Sequence, residues 1–186
     1  MEPKNLALFE KLKDWISKNH KAQSHLLAME KWIKVTYPQA DDALIIAAVG
    51  HDIERAFPLE DGEVKPEKKT WDDPEYLAWH GKRSARYLGS FLTNNGANED
   101  LVKRVMSLVE NHDAGGDEEK DALRDADSIS FLQNNEDLFM DGLKEGKTVD
   151  QMHEKFDIMY KRIGSPENKN LADRYYTEAI HKLETL

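Results

Sequence analysis

A chain of 186 residues with 36 acidic against 26 basic side chains carries a formal net charge of −10 and has no cysteine. The missing thiols exclude disulfides, thiolate metal sites and cysteine nucleophiles, and the negative charge argues against a nucleic-acid polymer as partner. No run approaches the roughly 18 apolar residues that cross a bilayer, and the amino-terminal MEPKNLALFEKLKDW mixes acids and bases unlike a signal peptide, so a single cytoplasmic domain over 1–186 with no membrane partner is expected.

Apolar residues recur three or four apart almost throughout and no stretch alternates, which predicts an all-α fold. Helices are predicted over about 4–19, 22–36, 39–50, 74–94, 98–112, 119–134, 148–163 and 167–184. The second places His25 on one face with Met29 and Trp32. The third contains ALIIAAVG, Ala43 to Gly50, which is apolar on all sides and therefore reads as a central buried helix, with His51-Asp52 emerging at its carboxyl end. Three prolines, a glycine and many charges over 58–74 predict a long surface loop, a type that often serves as a lid.

On the fourth helix His80 shares a face with Arg83, Ser84 and Tyr87, whereas Lys82 points away. Val105, Leu108 and Val109 aim His112 toward the core, and Asp127 lies one helical turn from both Leu123 and Phe131. The last fifty residues, from Asn134, carry Phe156, Met159, Tyr160, Tyr175, Tyr176, Ile180 and Leu183, expected to pack over the core and left outside the site. Lys120, His20, His153 and His181 are expected at the surface.

Taken singly, each polar candidate has an ordinary reading. Asp127 fits an N-cap or a buried salt bridge as well as a metal, His112 a hydrogen-bonded core histidine, and Asp113 a helix-end cap. Their order is more informative: His25, then His51-Asp52 closing an apolar helix, then His80, His112 and Asp127. Imidazoles with carboxylates suit iron, manganese, zinc or cobalt, and there are enough of them for two ions.

This series resembles the HD-domain superfamily of metal-dependent phosphohydrolases, whose motif of His, His-Asp and Asp is carried here by His25, His51-Asp52 and Asp127 over roughly residues 20–135. His80 in WHGKRSA and His112 in VENHDAGG are similar to the added ligands of its dinuclear branch, which includes dinucleoside-polyphosphate hydrolases and cyclic-nucleotide phosphodiesterases. The resemblance implies a single helical HD domain, with the helices of about 148–184 packing on the metal-binding core. It also implies one ion held by His25, His51, Asp52 and Asp127 and a second by His80 and His112, with Asp52 bridging. Iron or manganese is the expected metal, with cobalt, zinc, nickel or magnesium also suitable, and a hydroxide activated by the two ions is the expected nucleophile.

The implied reaction is hydrolysis of a phosphoester or phosphoanhydride in a nucleotide or another small phosphorylated metabolite. Arg55 stands in HDIER where the family commonly has lysine, so it is expected to bind phosphate beside the catalytic Asp52, with Arg83 second. Glu54 departs from the small residue common at its position. Ser84 and Ser128 are open to substrate contacts or helix capping. Two alternatives stand beside the hydrolase: a di-iron oxygenase of the same fold, and a non-catalytic HD-type signalling or scaffold domain.

Overall fold

The computed structural model describes residues 1–134, 142–143 and 146–185, and within them the chain is helical, with no β-strand. The α-helices are α1 (Pro3–Asn19), α2 (Gln23–Thr36), α3 (Asp42–Gly50), α4 (Pro74–Asn94), α5 (Glu99–Glu110), α6 (Glu118–Asn134), α7 (Val149–Lys161) and α8 (Pro166–Glu184). A 3₁₀ turn, Ile53–Ala56, follows α3. The predicted helices lie within a few residues of these, and the all-α expectation holds. Part of the carboxy-terminal segment read from Asn134 onward, residues 135–141, 144–145 and 186, lies outside the described residues.

Local chemistry sets the helix starts. Asp41, Asp73, Asn98, Thr148 and Ser165 each accept a hydrogen bond from a first-turn amide, satisfying donors that have no intrahelical partner. Pro3, Pro74 and Pro166 occupy first-turn positions, where a missing N–H costs nothing.

Helix α3 is the hub: Ala43 through Gly50 are all buried, and α1, α2, α5 and α6 pack around it. A helix apolar on every face is stable only when enclosed in this way. Helix α2 lies along α6, α4 along α5, and α7 with α8 covers α6. The α4–α5 approach depends on Gly81, where an added Cβ would sit 2.3 Å from the Glu110 carbonyl oxygen. That close pass matters because His80 and His112 flank it.

The C-terminal aromatic and apolar residues pack as expected, with Phe156, Met159, Tyr175 and Leu183 buried. Tyr175 meets Trp32 edge-on at 5.9 Å and its hydroxyl accepts from Gln133, so it belongs to the core. No described helix is long and apolar enough to cross a membrane.

Candidate metal centre

The carboxyl end of α3 carries His51 and Asp52 into a space also reached by His25 of α2, His80 of α4, His112 just beyond α5, and Asp127 of α6. All four histidines are buried, each at most 2% exposed. Their rings form a chain, with centroids 5.4 Å apart for His25–His51, 4.9 Å for His51–His112 and 5.3 Å for His112–His80.

Each ring is held by its Nδ1. That atom meets the Ala48 carbonyl at 2.8 Å for His51, the Val109 carbonyl at 2.7 Å for His112, the Glu54 carboxylate at 2.9 Å for His80 and Ser130 Oγ at 3.0 Å for His25. Ser130 Oγ donates its own proton to the His25 carbonyl oxygen, so it accepts from the ring. The four Nδ1 protons are thus assigned by their partners, leaving every Nε2 lone pair aimed inward, the orientation that ligating histidines require.

The carboxylates complete the cluster. Asp52 Oδ1 is 2.7 Å from His80 Nε2 and 3.8 Å from His51 Nε2, while Asp127 Oδ1 is 3.1 Å from His25 Nε2 and 3.3 Å from His51 Nε2. Among the described residues two groups have donor atoms mutually within 4.8 Å: His25, His51 and Asp52, and Asp52, His80 and His112. Donors on one ion with ~2.1 Å bonds stand about 3–3.4 Å apart when adjacent. The spacings therefore fit divalent cations, and Asp52, common to both groups, lies between them.

The electrostatics make the same demand. Burial alone would push the Asp52 carboxyl up, but Arg55, His51 and His80 outweigh it and hold the group well below the usual carboxylate range. Burial acts likewise on Asp127, where Arg162, His51 and His25 prevail. Burial disfavours protonated His51, yet Asp52 and Asp127 raise it to about 9, whereas burial dominates at His112 and lowers it. A proton on His51 balances the carboxylates, and a bound cation would displace it.

Several contacts depart from the expectations. Arg83 does not face the cluster: its guanidinium is buried against the Glu54 carboxylate, Glu63 and the carbonyls of Glu54 and Pro58. The helical-face argument placed it inward correctly, but buried Glu54 intercepts it. Glu54 in turn accepts from His80 Nδ1, so Arg83 orients a candidate ligand at one remove. Ser84 is fully buried with an unpartnered hydroxyl, away from the cavity, and Ser128 donates to the Arg124 carbonyl while accepting from Arg162. His20 is buried, not superficial; its Nδ1 accepts from the Ala22 amide, so its Nε2 donates to the Asp52 carbonyl at 3.2 Å.

Arg55 is where it was expected, its Nε 2.7 Å from Asp52 Oδ2 and its guanidinium partly exposed to a cavity of about 250 Å³. The other cationic walls, Lys68, Lys147, Lys155 and Arg162, are residues that sequence reasoning passed over. Arg162 is fully committed: it pairs with Asp113 Oδ1 at 2.6 Å, with Asp127 Oδ2 and with Ser128 Oγ. Asp113, read as a helix-end cap, instead lies with Oδ2 3.3 Å from His112 Nε2. The repeated His-Asp dipeptide at 112–113 was the one signal that could have flagged it. Lys68 and Trp71 come from the loop over 57–73, which Arg83, Arg86 and Tyr87 fasten to α4 through Glu60 and Glu63.

Fold and geometry together define an all-α domain with a buried histidine–aspartate cluster suited to divalent cations. The chain belongs to the family described as a domain of unknown function (DUF4202), which matches residues 10–164. Comparison with curated proteins and with solved structures gives no match.

Proposed function

We propose that the protein is a metal-dependent phosphohydrolase acting on a small phosphorylated metabolite, with a nucleotide as one such substrate. The observation that carries this reading is the pairing of an inward-facing His–Asp cluster with a cationic cavity. Among the described residues that cavity is lined by three carboxylates, Asp52, Asp113 and Asp127, against five cations, Arg55, Lys68, Lys147, Lys155 and Arg162. Bound divalent ions would add to that excess, and an anionic substrate balances it. The order of the ligand residues, similar to that of the HD-domain superfamily, supports the same reading by analogy.

In this reading His25, His51, Asp52 and Asp127 hold one ion and Asp52, His80 and His112 a second. Such ions supply Lewis-acid activation of water and neutralise charge on a phosphoryl oxygen. The chain's own groups bind and orient. Arg55, with its Nε on Asp52 and one Nη 3.5 Å from His80 Nε2, lines the cavity, and a planar guanidinium suits two phosphate oxygens at once. Lys155 faces the same space from α7, 5.2 Å from the Phe131 ring centroid. Glu54 and Arg83 keep His80 in register, and Arg162 keeps Asp127 and Asp113 in place.

The test is metal content per chain on protein purified anaerobically without chelator or nickel affinity, followed by phosphate release from nucleotides and phosphorylated metabolites with and without oxygen. The expected result is iron or manganese bound at near two ions per chain and release of phosphate without oxygen, with both lost in Asp52→Ala. Turnover only in oxygen would favour the oxygenase, and no metal after reconstitution would favour a binding domain. Full activity in Asp52→Ala would overturn the assignment.

A further inference from the structure

The cavity beside the histidine cluster borders another. Lys68, Trp71 and Lys147 line both, and Lys69, Thr70, Gln151 and Glu154 line only the second. Each has a volume of about 250 Å³. Either falls short of the ~300–1,000 Å³ usual for small-molecule sites, whereas the two together reach it.

The shared wall says what would occupy them. Three ammoniums gather round the Trp71 indole, Lys68 at 4.4 Å, Lys147 at 5.7 Å and Lys155 at 5.8 Å from the ring. The indole N–H is engaged by the Gln151 carbonyl at 3.0 Å. Trp71 thus anchors cations through its ring, and a ligand meeting it there encounters positive charge rather than a bare aromatic face. Glu154 is the one carboxylate of the second cavity among the described residues, against Lys68, Lys69 and Lys147.

Collecting lysines in a concave, partly buried place is costly in a protein of net charge −10. No described carboxylate pairs with Lys68 or Lys155. Burial, together with neighbouring cations, lowers the ammonium of Lys68 to about 8 and of Lys155 to about 7. An anion beside them offsets that cost at Lys155 in the first cavity and at Lys68, which lines both.

We propose that the two cavities form one elongated site for a ligand with two separated anionic groups, the first beside the histidine cluster and the second among Lys68, Lys69 and Lys147. A short polyphosphate chain and a small molecule phosphorylated at both ends share this chemistry. The first anion rests on the phosphohydrolase reading, while the second subsite stands on its own lysines.

Titration calorimetry on the full chain, freed of metal by chelation and held at one ionic strength, tests the second subsite directly. The probes are inorganic phosphate, tripolyphosphate, fructose 6-phosphate and fructose 1,6-bisphosphate. At least one doubly anionic probe should bind about tenfold or more tightly than its single-anion counterpart, a difference of about 1.4 kcal/mol, and which one does so identifies the source. Lys69→Met with Lys147→Met, both at exposed positions, should abolish the preference. A charge-matched control, Lys18→Met with Lys103→Met, should keep it. Equal affinities in the wild type, a preference that survives the first pair, or one lost equally in the control would each overturn the proposal. The two readings fail separately: a protein that shows the preference but hydrolyses nothing loses the phosphohydrolase, and one that releases phosphate without the preference loses the second subsite.

Discussion

Replacing Arg83 with methionine separates a positioning role from phosphate binding. The Arg83 and Glu54 side chains are 3% and 5% exposed, so the substitution strands a buried carboxylate and also removes donors from the carbonyls of Glu54 and Pro58. Breaking a buried ion pair by deleting one partner costs about 3–5 kcal/mol. Glu54 keeps its hydrogen bond from His80, which places the expected loss toward the lower end, near 3 kcal/mol. For a chain of this size each kcal/mol shifts Tm by roughly 2–4 °C, so Tm should fall by roughly 6–12 °C. Calorimetry on chelator-treated protein is the assay, because bound metal would otherwise contribute by mass action. Adding Glu54→Gln should recover much of the loss, since a neutral amide still accepts from His80 Nδ1. The sign of the pH dependence follows from Glu54: burial raises its carboxyl, but His80, Arg55 and Arg83 hold it below 4.5. Its contribution is present above that value and lost as pH falls through the folded one, so the gap between wild type and variant should narrow in acid. A Tm within about 2 °C of wild type at neutral pH would refute the reasoning, as the expected shift is severalfold larger.

Gly81→Ala would drive a Cβ to 2.3 Å from the Glu110 carbonyl, so it should cost about 1–3 kcal/mol and lower metal content by separating His80 from His112; unchanged metal per chain would contradict this. Asp125→Ala removes the acceptor for the Gly164 and Ser165 amides and Asn168 Nδ2, and should cost about 2–3 kcal/mol in denaturant melts while leaving metal content intact. Lys155→Met should stabilise the metal-free protein at pH 7 and below, where the native lysine is charged despite its burial and the nearby cations Arg162 and Lys68, with Asp113 and Asp127 opposing them. Between about 7 and 10.5 the unfolded lysine holds a proton that the folded one lacks, so wild-type stability rises with pH and the advantage shrinks; an advantage constant across a pH series of melts would argue against this.

The helices, the buried character of α3 and the convergence of His25, His51, Asp52, His80, His112 and Asp127 were all legible in the sequence. Each depends on short-range periodicity: a residue's face follows from its spacing to neighbours three, four or seven positions away, and an all-apolar helix can only be central. Arg83 shows the limit of that logic. Its face was read correctly and its partner was not, because Glu54 lies 29 residues away on another element. Tertiary structure alone decided that Arg162 joins Asp113 and Asp127 across 49 and 35 residues, and that Lys155 of α7 meets Lys68 and Trp71 of the loop. Lysines and arginines on solvent-exposed patterns look alike in sequence, since a long flexible side chain near a cavity and one in open water have the same local spacing. Only the packing of α7 over α6 turned some of them toward the cluster, and with them the charge that the site presents to a ligand.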